Sequence, residues 1–208
     1  MILVPGFTGV AFGTAAEGDA RTDEAARIHF ASAGAPTSWA YVSQVHGAGV
    51  AWANRPGHLG DGDAIVTDQP GLAITVATAD CVPIAIHGSG FVAVVHAGWR
   101  GLTTGVIPAV LRAIERRGYE PRRAAVGPAI GACCYEVGPD VLTHFPDHTG
   151  TTSWGSESVD LVGAVVSQLE GLDPWVSDRC TMTDEAFFSY RRDHTKQRQV
   201  AVAWLPSS

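Results

Sequence analysis

The sequence has no long apolar run and no export signal of the ordinary kind. No stretch of about 18 apolar residues occurs, so no segment has the pattern of a membrane-spanning helix. Residues 1–6 carry no basic region ahead of their short apolar run, which argues against a signal peptide. We therefore expect a cytoplasmic protein without a membrane partner.

Positive charge is scarce. The 208 residues include 14 Lys and Arg against 21 Asp and Glu, a formal net charge of −7. The arginine pairs at 116–117, 122–123 and 191–192 are isolated and form no basic stripe. Binding to a nucleic-acid backbone depends on phosphate neutralisation, so we expect no nucleic-acid partner. One or two arginines still suffice to hold a single anionic group.

The sequence also lacks a fixed-period repeat and the cysteine spacing of a disulfide framework. Its four cysteines, Cys81, Cys133, Cys134 and Cys180, include an adjacent pair, which is poor geometry for an ordinary structural bridge. We expect them to be core residues, metal ligands or nucleophiles. The 24 glycines and 12 prolines are dispersed and indicate turns instead of a linker. Length and a hydrophobic content of 46% predict one domain over residues 1–208.

Strand patterns dominate the first half of the chain, and helical patterns follow. Apolar runs predict strands at 39–43, 50–52, 64–66, 72–77, 83–86, 91–95 and 200–205. Apolar faces at helical spacing predict helices at 22–30, 102–117 and 158–169. Pro108, inside the second helix, predicts a kink or a late helix start. The mixture is typical of an α+β domain.

Three potential metal ligands, His46, Cys81 and His96, each lie at the end of a strand-like run. If those ends lie side by side in one sheet, they form a His₂Cys set, which suits Zn²⁺ with an open fourth position. They match no short zinc-finger pattern, and a histidine taken alone is more often structural. We predict that the three bind one Zn²⁺ and act in catalysis. Copper is disfavoured, because the chain has 8 histidines and no His-x-His pair.

Two carboxylates and three arginines complete the set of candidates drawn from the residues. Asp63 and Asp80 stand beside the ligand motifs and are predicted to orient a histidine or to move a proton. Arg100, Arg191 and Arg192 are candidates for holding an anionic group, because a guanidinium grips phosphate in a bidentate fashion.

Six short motifs occur in an order that resembles a known family. They are QVHG at 44–47, DGDAIVT at 61–67, ADCVP at 79–83, HAGWRG at 96–101, GPAIG at 127–131 with CYEVG at 134–138, and FFSYRRD at 187–193. Together they resemble the YfiH/laccase-domain family, also labelled polyphenol oxidase, purine nucleoside phosphorylase or peptidoglycan editing factor. The resemblance covers about residues 40–205, and residues 1–38 diverge.

This resemblance implies a fold, a metal site and an activity. The implied fold is α+β, a layered α/β sandwich with a mixed central sheet of the YfiH type. His46, Cys81 and His96 match the zinc ligands of the family, and Cys134 of the fifth motif is taken as a substrate contact. The implied activity is phosphorolysis of adenosine or inosine to the base and ribose 1-phosphate, with adenosine deamination as a companion. Purine nucleoside and phosphate are therefore the expected partners.

Two departures from the family pattern fall outside the metal motifs. The family's N-terminal Ser-Leu-Asn-Leu-Gly is missing, and the Thr-Gly-Arg that follows the last motif reads Thr195-Lys196-Gln197-Arg198. Substrate contacts from the N-terminal segment therefore do not carry over by resemblance.

Other functions remain open from the residues themselves. Cys81 as nucleophile and His96 as base would suit a cysteine hydrolase, with His46 as the orienting group. A peptidoglycan-precursor editing enzyme would use the same pair. A copper polyphenol oxidase is suggested by the family's older label, and the histidine pattern argues against it. A purely structural zinc site is disfavoured, because an open fourth position adds nothing to stability.

Overall fold

Two six-stranded sheets packed face to face form the centre of the protein, in a computed structural model that describes residues 1–206. With strands numbered in chain order, the first sheet has the order β1 (Ile2–Leu3), β2 (Val10–Phe12), β14 (Gln199–Trp204), β7 (Leu72–Thr78), β3 (Ser38–Ser43) and β5 (Gly57–Asp61). The second sheet has the order β13 (Trp175–Val176), β10 (Pro121–Val126), β8 (Val82–Gly88), β9 (Phe91–Ala97), β6 (Ala64–Thr67) and β4 (Val50–Ala53). A small separate sheet pairs β11 (Thr149–Thr151) with β12 (Glu157–Val159).

Both large sheets are mixed. In the first, β3 runs parallel to β7 and to β5, while β14 is antiparallel to both of its neighbours. In the second, β8 and β9 form an antiparallel hairpin closed by the two-residue turn at 89–90, where Gly90 has a φ of +82°. The predicted α+β class is therefore confirmed, with two mixed sheets in place of one central sheet.

Over residues 1–206, six short helices accompany the sheets. They are α1 (Ile28–Ala31), α2 (Trp99–Thr103), α3 (Val106–Glu115), α4 (Pro139–Leu142), α5 (Leu161–Ser167) and α6 (Tyr190–Asp193), with 3₁₀ turns at Ala25–Arg27 and Pro146–His148. Between residues 1 and 206, no helix combines the length and the apolar character needed to cross a membrane.

Buried side chains divide the protein into layers. The space between the sheets is filled from both sides by residues such as Val42, Ile74, Val76, Ile65, Val92 and Val94. The apolar faces of α3 and α5 pack on the other side of the second sheet, where Val110 and Val165 join Ile84. Phe30 and Trp39 bury the outer face of the first sheet, their rings 5.5 Å apart. The order is helix, sheet, sheet, helix.

The helix predictions are right in place and wrong in extent. The segment at 102–117 is divided into α2 and α3 by Gly105, whose φ of +83° leaves the helical region. Pro108 is the third residue of α3, where a missing N–H costs no helical hydrogen bond, so the late start is confirmed. The segment at 158–169 becomes helical only at Leu161, because Asp160 caps α5 by accepting the Gly163 N–H at 2.9 Å. The segment at 22–30 contains a 3₁₀ turn and one turn of α-helix.

All seven predicted strands are present, and seven others were missed. The missed strands are β1, β2, β5, β10, β11, β12 and β13. Most of them are short, and β10 opens with Pro121 and two exposed arginines before its buried half at 124–126. An apolar run is therefore absent, and pairing with β8 and β13 makes this segment a strand.

Candidate functional site

The three predicted ligands converge where the two sheets meet. The strands β3 and β7 are parallel neighbours in the first sheet. The loops that follow them carry His46 and Cys81, so both residues lie at the carboxyl ends of these strands. The loop with Cys81 then crosses to β8 in the second sheet, where Pro83 pairs with His96 of β9. The ligands thus come from both sheets, and the packing of the two sheets, not one shared sheet, brings them together.

The ligand atoms of His46, Cys81 and His96 lie within 4.8 Å of one another. The Cys81 Sγ is 3.9 Å from the His46 Nε2, and the two imidazole rings meet edge to face with centroids 4.8 Å apart. The His96 side chain is buried, Cys81 is partly buried and His46 is exposed. The cluster is therefore anchored in the core on one side and open to solvent on the other.

The Asp63 carboxylate contacts both histidine ligands of the cluster. Its buried Oδ1 lies 2.7 Å from the His96 Nδ1 and also accepts the His46 backbone N–H at 3.0 Å, while its Oδ2 accepts the Gly47 N–H at 2.7 Å. Burial would raise the pKa of Asp63, but these hydrogen bonds hold that pKa below its usual value. With Nδ1 directed to Asp63, His96 keeps Nε2 for a ligand, so Asp63 has the contacts predicted for an orienting carboxylate.

Cys81 and His96 lie close enough for each to shift the pKa of the other. Burial acts to raise the pKa of the Cys81 thiol, but the charge of His96 and a hydrogen bond from His46 lower it to about 6. Burial acts to lower the pKa of His96, but the Cys81 thiolate and Asp63 raise it to about 9. Both shifts favour the charged forms, and a Cys81 thiolate would be both a nucleophile and a metal ligand.

Gly98, which follows β9 of the second sheet, leaves room for His46 and Cys81 from the first sheet. A Cβ placed on Gly98 would lie 2.9 Å from the His46 Cδ2 and 3.1 Å from the Cys81 Sγ. The backbone at Gly98 is extended, with a φ of −82°, so a side chain is excluded by space alone. His46 itself has a φ of +59° and Asp80 has a φ of +90°. Such conformations cost about 1–3 kcal/mol each and persist only where surrounding contacts impose them.

A cavity of about 540 Å³ opens directly onto the three ligands. Five cationic side chains line it: Arg21, Arg100, Arg191, Lys196 and Arg198. The only carboxylate that lines it in the described part of the chain is Asp80. The cavity therefore concentrates positive charge in a protein whose net charge is −7, and this favours an anionic ligand.

Two of the predicted anion-binding residues do lie at this cavity. Arg100 is exposed and stacks on the Trp99 ring, with its Cζ 4.3 Å from the ring centroid. Arg191 packs over Tyr135 and donates to the Glu136 carbonyl at 2.7 Å, which fixes its guanidinium at the rim. Stacking leaves the edge of the Arg100 guanidinium free for an oxyanion.

Arg192 and Cys134, predicted to contact substrate or an anion, do not line this cavity. Arg192 turns away and donates to the carbonyls of Thr181, at 2.9 Å, and Phe187, at 2.7 Å. It therefore closes the loop between them. Cys134 is buried beside Cys133 and borders a separate surface depression.

Asp80 lines the cavity, but its carboxylate is engaged in the fold. Its Oδ1 accepts from the Thr181 hydroxyl at 2.7 Å, and its Oδ2 accepts the Arg191 backbone N–H at 2.7 Å. These bonds join the loop that carries Cys81 to a segment more than one hundred residues later. Asp80 thus positions Arg191, and the contacts do not fit a proton shuttle.

The cavity wall also includes residues that were not predicted as site residues, among them Arg21, Gln44, Tyr135, Tyr190, Lys196 and Arg198. Gln44, Tyr135 and Tyr190 lie within the six motifs, so the motifs could have identified them as candidate site residues. Lys196 and Arg198 lie where the last motif departs from the family pattern. Arg21 lies in the divergent N-terminal segment. Both departures therefore contribute cations to the cavity.

The donor set fits a metal ion of the zinc type. It offers one thiolate and two imidazoles, with one histidine oriented by a buried carboxylate and a glycine where a side chain would intrude. His46, Cys81 and His96 would hold the ion, and the open side would face the cavity.

The chain matches known proteins over nearly its whole length. The sequence model of the family described as "Multi-copper polyphenol oxidoreductase laccase" matches residues 6–206, so the N-terminal segment is included in the match. Proteins named purine nucleoside phosphorylase are among the relatives. One from Streptomyces coelicolor is 40% identical over 186 residues, covering 82% of this chain and 76% of the relative. One from Deinococcus radiodurans is 39% identical over 194 residues, covering 87% and 76%.

Solved structures show the same fold. YlmD from Geobacillus stearothermophilus superposes with a TM-score of 0.83 at 28% identity, covering 98% of this chain and 94% of that one. A Neisseria meningitidis protein gives a TM-score of 0.73 at 32% identity, covering 87% and 79%. YfiH from Bacillus licheniformis, at 22% identity and a TM-score of 0.81, supports the fold alone.

Proposed function

The chain belongs to the family described as the multi-copper polyphenol oxidoreductase laccase, and we propose that it is a Zn²⁺-dependent purine nucleoside phosphorylase. The observation that carries the proposal is the His₂Cys cluster at the floor of a cavity lined by five cations. Relatives about 40% identical bear the name of this activity, which supports the choice of reaction.

The cationic wall suits phosphate as the acceptor. Arg100 and Arg191 stand at fixed positions because each stacks on an aromatic ring, at 4.3 Å and 4.7 Å from its centroid. Arg21 also lines the cavity, where its Nη2 pairs with the Asp19 carboxylate at 3.1 Å and its buried Nε has no hydrogen-bond partner among the described residues. Guanidinium groups bind phosphate through paired hydrogen bonds, which also orient its attacking oxygen.

Phosphorolysis requires charge to be stabilised on both sides of the sugar. A phosphate oxygen forms a bond to C1′ while the bond from C1′ to the purine nitrogen breaks, and the electron pair departs with the base. The sugar passes through an oxocarbenium-like state. The cations hold the attacking phosphate, and the half-exposed Tyr190 supplies aromatic surface at the cavity wall for the base.

The candidate ligands have distinct tasks in this scheme. Bound Zn²⁺ would supply a Lewis acid with an open coordination position. Asp63 keeps His96 in one tautomer, and Asp80 sets the position of Arg191 through its backbone N–H. Adenosine deamination is proposed as a companion activity, because the same open site faces a cavity large enough for a nucleoside.

Incubation of the zinc-loaded protein with inosine and adenosine, with and without phosphate, tests this proposal. We expect phosphate-dependent release of hypoxanthine and adenine, and conversion of some adenosine to inosine. Arg100→Ala should raise the KM for phosphate by about 10–100-fold, the loss of one charge-assisted contact. Arg55→Ala, which removes an exposed arginine outside the cavity, is the matched control.

The metal is identified by elemental analysis of protein purified without added metal. One equivalent of zinc, lost in His46→Ala, supports the assignment, whereas copper in its place would contradict it. If neither base nor inosine appears from zinc-loaded protein, the phosphorylase proposal fails.

A cysteine hydrolase is the second candidate, favoured by one observation. Cys81, His96 and Asp63 stand in the order of a nucleophile, a base and an orienting carboxylate, with 2.7 Å between the last two. Chelated protein that cleaves an activated ester and loses this activity on alkylation of Cys81 would support it. Activity that instead requires zinc would exclude it.

A further inference from the structure

We propose that Cys133, Cys134 and Cys180 form a second metal site, a three-sulfur site for one Cu(I) ion. The site is separate from the His46, Cys81 and His96 cluster, and the inference does not depend on the proposed function. It rests on the convergence of three free thiols from two distant segments of the chain.

The three sulfur atoms already have the spacing of ligands to one ion. The Cys133 Sγ lies 3.3 Å from the Cys134 Sγ and 3.8 Å from the Cys180 Sγ, and all three lie within 4.8 Å of one another. Sulfurs bound at about 2.3 Å to one centre lie about 4 Å apart. Small rotations of the side chains therefore suffice to close the site.

The backbone holds the two segments in register. Ala129 and Cys180 form an isolated parallel bridge, and the Thr181 N–H donates to the Ala129 carbonyl at 3.0 Å. The Gly131 N–H donates to the Cys180 Sγ at 3.2 Å, and the Gly131 carbonyl accepts the Cys134 N–H at 3.0 Å. These contacts fix the approach of the thiols, so the cluster is built by the fold.

The donor set selects a soft monovalent ion. Thiolates select soft ions such as Cu(I), whereas Zn²⁺ in structural sites takes four ligands. Within residues 1–206, no histidine, carboxylate or further cysteine joins the three sulfurs to complete such a set. Three sulfurs satisfy Cu(I) without a fourth ligand.

Binding of the ion would displace the thiol protons of the three cysteines. The exposed Cys133 provides the route of entry.

Titration of reduced protein with Cu(I), delivered under anaerobic conditions from a chromophoric chelator, tests the inference. Cys81→Ser is the background, because it removes the one cysteine outside the cluster. We expect this protein to take up one equivalent of Cu(I), with X-ray absorption showing three sulfur ligands. Adding Cys133→Ser or Cys180→Ser should weaken binding by at least about 100-fold, more than the loss of an outer-shell partner.

Two variants keep the test decisive. Cys180→Ser also changes a partly buried sulfur that accepts the Gly131 N–H, whereas Cys133→Ser alters an exposed side chain and should leave the fold intact. The inference is overturned if Cu(I) binds either double variant as tightly as the Cys81→Ser protein. It is equally overturned if Zn²⁺ outcompetes Cu(I) at the cluster, or if the thiols form a disulfide and take up no Cu(I).

Discussion

Gly98→Ala is the sharpest test of the candidate metal centre, because it adds one methyl group at the junction of the ligands. The new Cβ would lie 2.9 Å from the His46 Cδ2 and 3.1 Å from the Cys81 Sγ. Carbon atoms in contact are normally about 3.5–4.0 Å apart, so the shortfall is at least about 0.6 Å. The extended backbone at this residue accepts alanine without strain, so the whole effect is steric.

The size of the effect on stability and on zinc affinity depends on whether the His46 side chain can move. The His46 side chain is exposed and can rotate aside in the metal-free protein, so the free energy of unfolding should change by less than about 1 kcal/mol. In the metal-bound protein His46 must stay, and crowding of this kind costs about 1–3 kcal/mol. We therefore expect the affinity for Zn²⁺ to fall by about 10–100-fold.

Competition with a fluorescent zinc chelator measures the affinity, and urea unfolding of the metal-free protein measures stability. Gly47→Ala is the matched control, since its Cβ would lie 3.7 Å from the Val45 Cγ2 and 3.8 Å from the Asp63 Oδ2, both ordinary contacts. Unchanged zinc affinity in Gly98→Ala, or an equal loss in Gly47→Ala, would refute the reasoning.

Three further outcomes follow from the same contacts. Asp63→Asn should lower zinc affinity by about 10–100-fold and the free energy of unfolding by about 2–4 kcal/mol, because one buried carboxylate oxygen that accepts N–H groups is lost. The same two assays measure both quantities, and unchanged values would contradict the orienting role of Asp63. Arg192→Ala should lower the free energy of unfolding, measured by urea titration, by about 1–3 kcal/mol and leave any KM for phosphate unchanged. A raised KM with unchanged stability would instead show that Arg192 binds phosphate. In chelated protein, alkylation of Cys81 by iodoacetamide should rise through pH 6 and level off above it, because its thiol pKa is about 6, whereas Cys134, at about 12, should react slowly throughout; mass spectrometry of the labelled peptides decides this.

The candidate ligands could be predicted because each lies in a recognisable local sequence pattern. His46, Cys81 and His96 each follow or end an apolar run, and such runs became β3, β7 and β9. Their motifs also resemble a family whose sequence model matches residues 6–206. Short-range information was sufficient because a buried strand must be apolar along its own length.

Residues whose role depends on a distant partner were not predictable in the same way. Arg191 and Arg192 are adjacent and chemically alike, yet only Arg191 lines the cavity, because the Asp80 carboxylate holds its backbone N–H. Arg192 is drawn instead to the carbonyls of Thr181 and Phe187. No pattern within the motif distinguishes the two arginines.

The sequence by itself determined half of the strand segments and the α+β class, and it singled out the three candidate ligands, since each depends on apolar runs or short motifs. Tertiary structure alone decided that Arg21, Lys196 and Arg198 share one cavity wall, and that Cys180 meets the adjacent pair at 133–134. These groupings depend on the order and register of strands in two packed sheets, which bring together residues far apart in the chain. That packing determines which side chains are neighbours in space, and the local sequence around a residue does not reveal them.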